Sequence, residues 1–227
     1  MNLINKFFSF LLENYQNARL INFIPKKIHT VIDVGAHEGE LYNTLIKKSI
    51  KFENFIMFEP FNESYNSLLK INDNRLALYN IGLSNLDETL DLNINKMKLT
   101  NSFTVRNTNT LNYKIKNLLS KKEQFLEPQE VQLSRLDNIV KPDSLFPPTF
   151  LKIDTEGFEL KVLKGGSKLF ENKKIDYVLV EVHNSNTYPN YDPNEIYKFL
   201  ENYNFKLVKK FKFPFLGFSD ILFRLER

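Results

Sequence analysis

The stretch that most constrains the fold is Thr30–Gly39, TVIDVGAHEG. Val31-Ile32-Asp33-Val34 is a short apolar run, Gly35 and Gly39 follow at once, and Glu40–Lys48 suits a helix. A strand that runs through a glycine turn into a helix is the ligand-binding device of open α/β sheets. Glycine is wanted there because the backbone turns sharply and a ligand approaches where a Cβ would collide. The spacing Asp33-x-Gly35-x-His37-x-Gly39 is not the dinucleotide fingerprint, since His37 stands where a middle glycine is expected.

Asp33, at the end of the strand, repels phosphate oxygens, so a pyrophosphate is the wrong guest. A ligand with cationic and hydroxyl-bearing parts fits better, which points to S-adenosylmethionine (SAM). Composition narrows the class further. A length of 227 residues suits one domain with a full core, taken as 1–227. The 42% hydrophobic and 26% charged shares are those of a soluble globular protein. The 31 basic residues exceed the 27 acidic ones by only four and are scattered, so no nucleic-acid footprint is present. Absence of cysteine excludes disulfides, thiolate metal sites and a cysteine nucleophile, and agrees with a cytoplasmic location. The apolar cluster Phe7–Leu12 is too short to span a bilayer, and no signal cleavage site follows it. Residues 1–28 are therefore expected to form an N-terminal helical extension packed on the domain, with a membrane-surface or partner-binding helix as the alternative.

Asn54–Phe58, ending at Glu59-Pro60, reads as the second strand, Glu63–Ile71 as a helix, and Leu76–Ile81 as a third strand before Gly82. The order β-α-β-α-β implies a parallel sheet. Residues 87–132 break that rhythm and are expected to form an insertion that carries substrate contacts. Within it, Asp87–Ile94 and Glu130–Leu133 alternate like strands. Regularity returns with strand Phe150–Asp154, helix Glu159–Phe170 with Gly165-Gly166 as its terminating turn, and strand Asp176–His183. A helix capped by Asp192 with Pro193 at its first position follows. Phe205–Lys209 and Asp220–Arg224 close the chain as strands.

In such sheets ligands bind at the carboxyl ends of the strands. Those ends are Asp33-Val34-Gly35, Glu59-Pro60, Gly82-Leu83-Ser84, Asp154-Thr155-Glu156-Gly157 and Glu181-Val182-His183, and four of the five carry a carboxylate. Acids just past apolar strands are costly unless they bind something. Glu59 lies where Rossmann-like proteins hold ribose hydroxyls. Asp33, Gly35, His37, Gly39, Glu59, Pro60 and Ser84 are accordingly assigned to the cofactor, with Asp33 toward its amino-acid end. His37 is as consistent with an exposed turn residue as with ligand contact. Asp154 or Thr155 also suits an N-cap, a role compatible with binding.

VIDVGAHEGE, FEP, NSF, VQLSRLDNIV, FLKIDTEGFELKVLKGG and VLVEVH together resemble the successive motifs of the FkbM family of SAM-dependent methyltransferases. The resemblance runs from Val31 to His183, and LKIDTEGFELKVLKGG is its specific part. His37 departs from it, standing where many family members have Asn. The resemblance implies a class I methyltransferase fold, a mostly parallel seven-stranded Rossmann-like sheet with helices on both faces and its last strand antiparallel. It also implies O-methyl transfer, often onto sugar or polyketide hydroxyls. By position it places Asp33, Gly35, Gly39 and Glu59 on SAM, Ser102 over the cofactor, and Asp154, Glu156 and Gly157 facing the transferred methyl.

Transfer from a sulfonium needs acceptor oxygen, methyl and sulfur in line, with water excluded. A base must take the hydroxyl proton, and His183 and Asp154 are the candidates. Asp154, His183 and Glu156 thus form the expected catalytic group. Asp154 with Glu156 offers oxygen ligands that suit magnesium, but the acids are read as balancing the sulfonium, and no metal ligand is assigned. The expected function is O-methylation of a sugar or glycan-precursor hydroxyl. Rival readings are a lipid or polyketide hydroxyl as acceptor, a non-catalytic SAM-binding module, and a nicotinamide-dependent oxidoreductase.

Overall fold

A computed structural model describes residues 19–95, 101–104, 107, 126–212 and 217–227. Most of the N-terminal extension expected over 1–28, and the basic stretch 112–124, lie outside the described residues. The chain runs β1 (Lys27–Val34), α1 (Glu40–Lys47), β2 (Lys51–Phe58), α2 (Asn62–Leu68), β3 (Leu76–Tyr79), β4 (Gly82–Leu83) and β5 (Glu88–Leu92). It continues through β6 (Gln129–Ser134), α3 (Leu136–Ile139), β7 (Thr149–Ile153), α4 (Glu159–Gly165), α5 (Ser167–Glu171), β8 (Tyr177–His183), α6 (Pro193–Asn202), β9 (Phe205–Lys212) and β10 (Phe218–Leu225).

Seven strands form the main sheet in the order β3-β2-β1-β7-β8-β10-β9, parallel except for β10, which runs antiparallel to both neighbours. The central strands are buried on both faces, which explains why they read as continuous apolar runs rather than alternations. Ile32, Leu151, Val178, Val180 and Ile221 pack on one face against α4, α5 and α6. Val31, Phe55, Phe150, Leu179 and Leu222 pack on the other against α1, Leu68 and the segment Leu20–Ile24. On α6, Ile196 and Leu200 are one turn apart and fully buried, each worth about 1.5–3 kcal/mol of burial. Asp192 accepts from Asn194 N, which makes it the expected cap. Among the described residues no helix is long and apolar enough to cross a membrane.

The strand order reverses between β1 and β7, because the chain moves outward through β2 and β3 and then returns to β1's other side. A crevice at the carboxyl ends of β1 and β7 is the place such a sheet offers a ligand.

Three expectations need correction. The third strand ends at Tyr79, not Ile81, because β3 is a half-buried edge strand and nothing holds the chain in the ladder beyond it. Gly82–Leu83 instead pairs with β6 in a second sheet ordered β4-β6-β5, so Ser84 does not end a strand of the main sheet. The expected helix Glu159–Phe170 is two helices, α4 and α5, that meet at Gly166. Gly165 is more than a terminating turn, since a Cβ there would stand 2.1 Å from the Ser84 carbonyl oxygen.

Candidate active site

The glycine turn is clamped from two sides. Gly35 sits at φ 77°, and a Cβ on it would fall 1.9 Å from the Asp154 carbonyl oxygen, so only glycine lets β1's loop pass β7's. On the β2 side, Glu59 Oε2 accepts from His37 N at 2.7 Å and Glu59 Oε1 from Phe61 N at 2.9 Å. One buried carboxylate thus joins the tip of β2 to the glycine loop. Burial pushes its pKa up, and the two amide bonds oppose that. Asn80 Nδ2 and Gln129 Nε2 both donate to the Pro60 carbonyl and fix the turn after β2.

His37 adopts φ 47°, and its Nδ1 lies 2.7 Å from Glu40 Oε1. Burial opposes the charged imidazole, but Glu40 outweighs it through its hydrogen bond and charge and holds His37 at about 9. The histidine is therefore imidazolium at neutral pH and fastens the loop to the first turn of α1.

Asp33 is fully buried on the strand face it shares with Lys152, its register partner on β7. Lys152 Nζ lies 3.2 Å from Asp33 Oδ1, 3.4 Å from Asp154 Oδ2 and 3.1 Å from the Gly35 carbonyl, to which it donates. Burial pushes Asp33 up to about 6, against the pull of Lys152. Lys152 stays charged because Asp33 and Asp154 outweigh the cost of its own burial. Asp33 Oδ2 accepts no hydrogen bond among the described residues.

The turn 154–157 is organised by a residue the sequence reading passed over. Glu159 Oε1 accepts from Thr155 N, Thr155 Oγ1 and Gly157 N, so neither Asp154 nor Thr155 caps α4. Burial raises Glu159 to about 7. Asp154 projects outward, its side chain 41% exposed. Glu156 sits at φ 52°, and its Oε2 accepts from Tyr188 Oη at 2.5 Å. His183 Nε2, deep in the site, lies 2.9 Å from Glu181 Oε2 and 3.5 Å from Glu156 Oε2. Tyr191 Oη accepts from His183 N at 3.1 Å.

The fold thus brings Asp33, Gly35, His37, Gly39, Glu59 and Pro60 together on one side of the crevice, and Asp154, Glu156 and His183 on the other. The two assigned serines are held by neighbouring elements. Ser84 is fully buried under α4 and donates to Glu88 Oε1 at 2.9 Å. Ser102 Oγ donates to the Glu156 carbonyl at 2.6 Å and accepts from Thr104 N, tying the middle segment to the acidic turn. Lys152, Glu159, Tyr188, Tyr191 and Asp220 join the site without having been singled out. Lys152 left a signal, being a lone charge inside the apolar run FLKID.

The family model for the methyltransferase FkbM domain matches residues 33–207. This chain belongs to the FkbM methyltransferase family. The family's class is SAM-dependent, so the donor expected from the sequence agrees with it. Among solved structures, an FkbM methyltransferase from Methylobacillus flagellatus KT superposes with a TM-score of 0.53 at 18% identity, over 87% of this chain and 44% of that one. This FkbM chain therefore spans less than half of that protein's length. Magnesium protoporphyrin IX methyltransferase from Synechocystis PCC 6803, solved with SAM bound, gives 0.54 at 8% identity, over 96% of this chain and 80% of that one. An S-adenosylmethionine-dependent methyltransferase fold from Listeria monocytogenes gives 0.55 at 7% identity, over 96% and 100%. Identities this low establish the shared fold alone. No curated protein sequence matches the chain.

Proposed function

We propose that this FkbM methyltransferase, organised as one domain, transfers a methyl group from SAM to a hydroxyl of a sugar or glycan precursor. The observation that carries the reading is the division of the crevice into two chemically distinct halves at the switch point between β1 and β7.

The β1–β2 half fits the donor. Glu59 keeps acceptor capacity at the tip of β2 for ribose hydroxyls, since each oxygen takes only one amide bond. The buried Asp33 Oδ2 and His37 Nε2 are without hydrogen-bond partners among the described residues, and both border the glycine loop. Asp33 with Lys152 suits the charged amino-acid end. SAM supplies an electrophilic methyl on a sulfonium, which the acids around it favour.

The β7–β8 half fits the acceptor. Beside it lies a cavity of about 420 Å³ with a mixed lining, polar at Asn85, Thr104 and Asp192 and apolar at Phe158, Leu160 and Ile196. The polar groups suit the hydroxyls of a sugar and the apolar ones the face of its ring. The O–CH₃ bond forms as the S–CH₃ bond breaks, S-adenosylhomocysteine leaves, and the hydroxyl proton goes to the cluster of Asp154, Glu156, Glu181 and His183.

Labelled SAM incubated with a panel of nucleotide sugars and sugar phosphates should yield methyl ethers detectable by mass spectrometry. SAM binding with no transfer to any hydroxylated acceptor would overturn the transferase reading in favour of a binding module. Glu59→Gln should weaken SAM binding by about 1–3 kcal/mol, read by calorimetry; an unchanged affinity removes Glu59 from the cofactor site.

A further inference from the structure

We propose that Glu156, Glu181 and His183 form a divalent-cation site that holds and acidifies the acceptor hydroxyl. This rests on the transferase reading above, but the site itself is argued from donor geometry.

Among the described residues these are the three side chains whose ligating atoms converge, all lying within 4.8 Å of one another. His183 Nε2 stands 2.9 Å from Glu181 Oε2 and 3.5 Å from Glu156 Oε2. With metal–ligand bonds of about 2.1 Å, adjacent donors to one ion stand about 3.0–3.4 Å apart and opposite donors about 4.2 Å. The observed spacings match a single ion between them.

Three further features point to a ligand. Glu181 Oε2 is buried, accepts no hydrogen bond among the described residues and points at the ring nitrogen of His183. Glu156 holds a left-handed backbone that a residue with a Cβ rarely adopts, and the strained turn aims its carboxylate at His183. Tyr188 Oη, donating to Glu156 Oε2, and Ser102 Oγ, donating to the Glu156 carbonyl, hold that carboxylate in place, as outer partners of metal ligands do.

Asp220 also faces Glu181 from β10, and a doubly charged ion would offset the repulsion among these neighbouring acids. An imidazole beside two carboxylates selects manganese, iron or zinc over magnesium or calcium. The ion's role would be to polarise the acceptor oxygen, so that the O–H proton is lost to Asp154 or solvent as the methyl arrives.

The test uses the full chain, stripped with chelator and titrated with Mn²⁺ alone, without SAM or acceptor. Support requires one Mn²⁺ bound per chain, an echo-modulation signal from an imidazole nitrogen in its spectrum, and at least tenfold weaker binding in both Glu156→Gln and His183→Asn. Absence of Mn²⁺ binding, absence of the nitrogen coupling, or binding unchanged in folded Glu156→Gln overturns the site. The Glu156 side chain is less buried than that of His183, 13% against 2% exposed, so its variant serves if His183→Asn fails to fold. Chelator-treated protein that still methylates a sugar at full rate would sink the cation while leaving the transferase reading intact. Mn²⁺ binding without transfer would do the reverse.

Discussion

At the scale of single residues, the site is built from charges held out of water by one another. His37 shows how this ties the cofactor loop to pH. Its folded pKa of about 9 lies above the ordinary value, so the contact with Glu40 stabilises the fold fully below about pH 6.5 and is lost as pH rises through 9. Stability should therefore fall by on the order of 3 kcal/mol across that window, and denaturant titrations at pH 6 and pH 10 will read it. His37→Asn keeps a residue that tolerates φ 47° and should flatten this part of the profile. An undiminished pH dependence in that variant would assign the effect to another group. Lys152 gives a second case. Lys152→Met leaves Asp33 buried without its counter-charge, at a cost of about 3–5 kcal/mol at pH 8. Protonation of Asp33 should relieve part of that cost near pH 5, since burial raises it to about 6 even against the pull of Lys152. Adding Asp33→Asn should recover most of the loss; a double variant as unstable as the single one would show that the pair is not coupled.

At the scale of elements, the joints between strands and helices are set by backbone contact as much as by side chains. The close passage of α4 over β4 depends on Gly165, whose missing Cβ leaves space for the Ser84 carbonyl. Gly165→Ala should destabilise by about 1–3 kcal/mol through overpacking. At Gly166 an added Cβ would meet only the Leu136 side chain at 3.1 Å, so Gly166→Ala should cost less. Urea midpoints with unchanged slopes will measure both, and equal losses would remove the distinction. The short sheet β4-β6-β5 belongs to this scale too. Residues 87–132 read as an interruption because β6 pairs with β5 on one side and β4 on the other, outside the main ladder. Their alternation marked them as strands, but periodicity does not say which sheet a strand joins.

At the scale of the whole molecule, the chain's own order fixed a large part of the architecture. Apolar runs such as VIDV and FLKI, each followed by an acid or glycine turn and a helix, require a mostly parallel sheet with ligands at its carboxyl edge. That much depends on local periodicity and on turn chemistry, both carried by neighbours in sequence. Asp33, Gly35, His37, Gly39 and Glu59 were legible for the same reason, since they sit at the tips of recognisable strands. The tertiary structure alone decided how those tips face one another. Only the β1–β7 register sets Lys152 against Asp33, and only the β8–β10 register sets Asp220 opposite Glu181. The same holds for Ser84 beneath α4, Ser102 against the Glu156 carbonyl, and His183 between two glutamates. Apart from Glu181 and His183, two residues apart on β8, each joins residues far apart in the chain, at distances set by strand register and helix packing. No local pattern encodes such a distance, because a carboxylate at a strand end looks the same in sequence whether it meets a lysine, an imidazole or water.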